Sequence, residues 1–173
     1  MASTFPGAID SFTDPLSGSA LNSPSHSAQH ADLNDAVEKV ETYVLNLPRG
    51  VVAYGKRTAG NVSFSTAADL TGMTVTFTAV SSRLYRVSWL TTGQKSISAG
   101  YTAIYCYVGA TIVASVYDTV GANEYWNCSA SAFISGQSGS TTVKLRGESQ
   151  SNTSTLFAGG DPAYIIVEDV GLA

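Results

Sequence analysis

From Arg49 onward, apolar residues return at every second position. Met73, Val75, Phe77 and Ala79 alternate with Thr74, Thr76 and Thr78. The same rhythm joins Tyr85, Val87 and Trp89, then Ile104, Cys106 and Val108, then Val143 with Leu145, and finally Ile165 with Val167. Side chains on an extended strand point to opposite faces in turn, so a period of two places one set in a core and the other toward solvent. Turn-forming residues punctuate the pattern at roughly ten-residue spacing, and Gly109-Ala110 reads as a tight hairpin turn. The spacing predicts about eight to ten short strands and therefore an antiparallel β-sandwich or closed barrel over residues 49–173.

The rhythm changes N-terminal to Pro48. His26, His30, Leu33, Val37, Val40, Val44 and Leu47 are separated alternately by four and three residues. That is a coiled-coil repeat, with His30, Val37 and Val44 at one seam position and the remaining four at the other. Ser23 suits the N-cap, Pro24 the first helical position, and Pro48 the stop. The expected helix covers 24–47, within a segment 24–48, and spans about 35 Å. A helix this short is marginal alone, so its stripe needs a partner. That partner is either identical chains, two or three in number, or the chain's own β domain.

Residues 1–23 carry Phe5-Pro6, Asp14-Pro15 and Ser23-Pro24, steps that favour extended backbone. Phe5, Ile9, Phe12 and Leu16 supply spaced apolar contacts, so the segment reads as either a docking peptide or a loose tail.

Charged residues make up only 13% of the 173, against 44% hydrophobic, and nine tyrosines are present. Low charge fits sheets, and also a surface covered by assembly. The net charge of −4 with scattered basic residues argues against nucleic acid as a partner. No apolar run approaches the ~20 residues that a membrane span needs, and Met1–Ser11 lacks the basic start and apolar run of a signal peptide. Synthesis in the cytoplasm is expected. Cys106 and Cys128 fall on the apolar phase of strands, which reads as two buried thiols, with a bridge between neighbouring strands as the alternative.

The stretch Ala8-Ile9-Asp10-Ser11-Phe12, then Asp14-Pro15, then His26 through Glu41 with its H-x-x-x-H-x-x-L-N-D-A-V core, resembles the N-terminal signature of tailed-bacteriophage minor tail and fibre-like proteins. The ending Ala163-Tyr164-Ile165-Ile166-Val167-Glu168-Asp169-Val170-Gly171 is similar to the last strand of their heads. The middle resembles, in pattern only, the TNF/C1q-like jelly rolls carried on phage fibres and decoration proteins. The resemblance implies a homotrimer on the virion surface: residues 1–23 anchor it to other virion proteins of the capsid or tail, and the jelly-roll head faces outward. Capsid decoration protein, head fibre and short tail fibre are all compatible with it. In such a bacterially made virion protein no cofactor is expected.

Candidate chemistry is sparse. His26 and His30 share one helical face, and rings of them around a seam could hold a metal or an anion. The plainer role is a polar seam element that sets register, weakening below about pH 6. Nucleophilic catalysis has no motif: Gly136-Gln137-Ser138-Gly139 lacks the nucleophile-elbow spacing. The acids of the β region, Asp69, Asp118, Glu124, Glu148, Asp161, Glu168 and Asp169, show no readable pairing of the glycosidase kind. No enzyme activity is expected. Tyr101, Tyr105, Tyr107, Tyr117, Tyr125 and Trp126 crowd one stretch, as either a glycan-contacting surface or interface and core packing. The leading expectation is a trimeric virion structural protein. A receptor- or glycan-binding tail tip, a secreted C1q/TNF-like ligand and a glycan-degrading enzyme are the rivals.

Overall fold

The computed structural model describes residues 26–58, 60–157 and 163–173, with helix side chains from residue 28 onward. The chain divides into two units, residues 1–47 and 48–173.

In the first unit, α1 runs His26–Asn46. The expected cap at Ser23 and Pro24 lies outside the described residues. Toward the C-terminal end, Thr42 Oγ1 donates to Glu38 O at 2.8 Å and Leu47 N to Val44 O at 3.3 Å, a tightened last turn. Pro48 then has no N–H to continue the ladder.

The second unit is mainly β, an antiparallel sandwich with ten strands among the described residues. These are β1 Gly50–Arg57, β2 Val62–Phe64, β3 Ala68–Ala79, β4 Arg83–Lys95, β5 Gly100–Val108, β6 Thr111–Val120, β7 Tyr125–Ile134, β8 Gly139–Ser149, β9 Ser154–Leu156 and β10 Ala163–Leu172. One sheet is ordered β1-β10-β4 with β7 on the far edge of β4, and β9 and β2 continue beside the end of β4. The other is ordered β3-β8-β5-β6. The chain passes repeatedly from sheet to sheet, so of the consecutive strands only β5 and β6 pair directly, through Gly109-Ala110. Gly109 sits at φ 57°, the left-handed conformation that a two-residue hairpin turn asks of its first residue. Strands β3 and β4 are longer than the short strands expected. β4 has to be long, because it carries β7 along one edge and β10 then β9 along the other.

The alternation places the core as the sequence pattern requires. Met73, Val75, Phe77 and Ala79 face inward, as do Tyr85, Val87, Trp89, Ile104, Val143, Leu145, Ile165 and Val167. Each fully buried large aliphatic contributes about 1.5–3 kcal/mol. Trp126 lies in the same layer, edge-on to Phe64 at 6.2 Å between centroids. It fits because Gly93 stands opposite in the ladder, where a Cβ would overlap the Trp126 ring and the Thr155 carbonyl. Cys106 and Cys128 lie in different sheets, buried and free, and burial pushes both thiols up to about 12.

Two buried arrangements hold charged groups, the pair Arg83–Asp169 and Lys95. Arg83 Nη2 donates to Asp169 Oδ1 at 2.7 Å, and Asp169 Oδ1 also accepts from Gly171 N at 3.0 Å. Lys95 donates to Ser149 Oγ at 2.6 Å, Tyr101 O at 3.1 Å and Gln150 O; desolvation lowers its pKa. Neither arrangement was legible in the sequence.

Candidate functional site

Three surfaces stand out, and the first two carry residues singled out from the sequence. The first is the helix. His30, Leu33, Val37, Val40, Val44 and Leu47 are all exposed, Leu33 by 52% and Val44 by 58%. A row of apolar residues in contact with water on a short helix is the raw material of association. The side chain of His26 and the expected anchor residues Phe5, Ile9, Phe12 and Leu16 lie outside the described residues. Among the described residues no group of three or more His, Cys, Asp or Glu could hold a metal ion. No helix there is long and apolar enough to cross a membrane.

The second surface is the outward face of β3-β8-β5-β6. Alternation along β8 places Lys144, Arg146 and Glu148 outward, and alternation along β5 places Tyr101, Tyr105 and Tyr107 beside them. Glu148 gathers two of the tyrosines, and a third joins through Tyr105. Tyr105 Oη donates to its Oε2 at 2.9 Å, Tyr101 Oη approaches Oε1 at 3.4 Å, and Tyr117 Oη reaches Tyr105 Oη at 3.4 Å. The Tyr117 ring meets Tyr101 and Tyr105 edge-on, at 5.8 and 5.9 Å. Ala103, which lies between Glu148 and Tyr117 in the ladder, is fully buried although it shares their face. The Tyr105 phenol is pushed well above its usual range by the Tyr117 hydrogen bond, by burial and by Glu148. Tyr101 is raised by desolvation and by the same carboxylate. Further along, Arg146 lies 5.3 Å over the Tyr107 ring and 3.1 Å from Asp69, which Lys144 also meets at 2.8 Å. This face is a polar network whose tyrosines and charges pair with one another.

The third surface is the outward face of β1-β10-β4-β7. Three rows cross it: Val51-Glu168-Arg86-Phe133, Tyr54-Ile166-Ser88-Ser131 and Lys56-Tyr164-Leu90-Ser129. Tyr54 is 57% and Phe133 62% exposed. Its charges are Lys56 and one ion pair, Arg86 to Glu168 at 2.8 Å. No reading of the sequence singled this face out. The signal was there: Tyr164, Ile166 and Val170 make the supposedly solvent phase of β10 apolar too.

The aromatic cluster is therefore split by the fold. Tyr101, Tyr105, Tyr107 and Tyr117 share the second surface. Tyr125 is 71% exposed on β7, edge-on to Phe157 at 5.8 Å. Trp126 is a correction to the surface reading: at 2% exposure it belongs to the core, because alternation turns it opposite to Tyr125.

The carboxylates of the described β unit are each engaged. Asp118 Oδ2 accepts from Asn127 N at 3.0 Å and Glu124 Oε2 from Gly121 N at 2.7 Å, while Asp69, Glu148, Glu168 and Asp169 have the partners already given. Asp161 lies outside the described residues.

Comparison with known proteins bears on the fold. No protein-family model matches the chain, and no curated protein matches its sequence. Among solved structures, the chain is similar to the Eiger TNF of S. frugiperda, with a TM-score of 0.53 and 10% identity over 72% of this chain and 96% of that one. It is also similar, more weakly, to the insecticidal delta-endotoxin Cry8Ea1 of Bacillus thuringiensis, with a TM-score of 0.42 and 13% identity over 65% of this chain and 20% of that one. The fold is a TNF-like jelly-roll sandwich. At this identity the likeness concerns architecture and nothing further.

Proposed function

We propose that this chain is a non-enzymatic structural protein of a tailed-phage virion, a trimeric surface appendage that self-associates through α1 and through the outward face of β1-β10-β4-β7. The observation that carries the reading is that third surface. Tyr54 and Phe133 are exposed on it and Ile166 and Tyr164 half-buried, among serines, with Lys56 and the Arg86–Glu168 ion pair as its charges. Water is a poor neighbour for so broad an apolar sheet face, and a second copy is a good one. The exposed stripe of α1 supports the same reading, since identical helices would bury it along a common seam. The placement on a virion, held by residues 1–23 against capsid or tail proteins, rests on the N-terminal signature that resembles phage fibre-like proteins. The engagement of each described β-unit carboxylate in a hydrogen bond or ion pair supports a role without catalysis.

Light scattering on the full chain tests the assembly. The expected mass is three times the 18.0 kDa of one chain, and Val37→Asp with Val44→Asp returns single-chain mass. A wild-type chain that stays single at about micromolar concentration overturns it. Cryo-electron microscopy of a virion whose genome encodes the chain tests the placement: trimers on the capsid lattice or at the tail support it, and a virion without the chain refutes it.

A further inference from the structure

Between β4, β6 and β7 the surface opens into a cavity of about 330 Å³, at the small end of ligand-sized pockets. Its lining is mixed in a specific way. Tyr125 and Phe157 provide two aromatic rings at the mouth, edge-on to each other. Phe157 is tied there by its N–H, which donates to Thr92 O at 3.0 Å. Asp118 and Asn127 supply a carboxylate and an amide, and the Asn127 N–H holds the carboxylate in the wall. Two more polar atoms of lining residues, Thr92 Oγ1 and Trp126 Nε1, are sealed from water and have no hydrogen-bond partner. No lysine or arginine lines the cavity.

We infer that this cavity binds a neutral sugar ring, as part of a surface glycan. A pyranose offers an apolar C–H face to stack on the exposed Tyr125 ring, with Phe157 edge-on beside it. Its hydroxyls donate to the Asp118 carboxylate and accept from the Asn127 amide. A lone carboxylate with no cation beside it repels phosphates and acidic sugars, which sets the class of ligand. The inference goes beyond the assembly reading, because every group it uses belongs to one chain.

The chain has two tryptophans, and only Trp126 lines the cavity, so the Trp89 indole is an internal control. The experiment is a titration of the 15N-labelled full chain with glucose, galactose, N-acetylglucosamine and glucuronate, following both indole N–H resonances. At least one neutral pyranose is expected to shift Trp126 saturably with half-saturation in roughly the millimolar range, leaving Trp89 in place. Tyr125→Ala, a change at an exposed side chain, weakens this by at least about tenfold. Asp118→Asn narrows the preference for glucose over glucuronate, which a merely structural aspartate would not do. No saturable shift with any neutral sugar overturns the inference. So does a Trp126 resonance that moves only on diluting the protein, since the cavity would then be filled by a neighbouring copy. Light scattering on the same samples separates that result from a failure of assembly.

Discussion

The two outward faces of the sandwich are built by the same alternation and come out opposite in character. On β3-β8-β5-β6, the outward residues include tyrosines, charges and threonines, and the tyrosines and charges close on one another through Glu148, Arg146 and Asp69. On β1-β10-β4-β7, most outward residues are aromatic, aliphatic or serine, and the charges are Lys56 and the Arg86–Glu168 pair. A face that has met its own hydrogen-bonding needs can remain in water. A face with exposed apolar area and little else lowers its free energy by being covered. The comparison teaches that a β-sandwich can be soluble on one side and associative on the other, the difference lying in the phase that usually reads as solvent-facing.

Neighbouring residues on β10 break the comparison most sharply. Asp169 points inward and holds Arg83, so Asp169→Ala leaves a buried guanidinium uncompensated. The expected loss is about 3–5 kcal/mol of folding stability, read by urea denaturation. A loss below about 1 kcal/mol would mean that water reaches Arg83 after all. Ile166, three residues earlier, points outward. Ile166→Asp is expected to weaken self-association at least a hundredfold, roughly 2.7 kcal/mol, while the single chain unfolds at nearly the same denaturant concentration. Sedimentation velocity reads the first effect and denaturation the second. Unchanged association would remove this face from the assembly.

Glu148→Ala sharpens the other side. It takes the acceptor from Tyr105 and Tyr101 on a partly exposed network, so about 0.5–1 kcal/mol of stability is expected to go, with the oligomeric mass unchanged. A change of mass would show that the tyrosine face also meets a partner.

The smallest effect is alkaline. Cys106 and Cys128 titrate near 12 when folded, against an ordinary 9.0. A raised folded value means the folded chain holds its protons more tightly than the unfolded one. The resulting stability is fully present below pH 9.0 and is lost as pH rises toward about 12. Tyr105 adds in the same direction, and Lys95, lowered by desolvation, opposes both. Melting temperature should fall from pH 9 upward, less steeply in the Cys106→Ala, Cys128→Ala double variant. Equal slopes would assign the alkaline loss to other groups.

Much of the architecture was legible. The change of period at Pro48 separated helix from sheet. The phase of each strand assigned its buried set, from Met73–Ala79 to Ile165 and Val167, because a side chain's face follows from its parity alone. Gly109-Ala110 marked its hairpin for an equally local reason. The limits came where parity was not enough. Trp126 stayed between a glycan-contacting surface and interface or core packing, and adjacency to Tyr125 on a strand, which means opposite faces, decides for the core. The charges Lys144, Arg146 and Glu148 are spaced by two, so a shared face could be read, but the partners waiting there could not.

What the sequence determined by itself is local: where the helix gives way to strands, which residues of each strand are buried, and where the chain turns. Only the tertiary structure decided that β4 lies between β10 and β7, that Glu148 stands among tyrosines from two other strands, and that Asp118, Tyr125 and Phe157 bound one cavity. The physical reason is that parity and periodicity act over a few residues. The order of strands in a jelly roll, by contrast, is set by contacts between segments distant in the chain, which bury apolar area jointly and leave no mark at any single position.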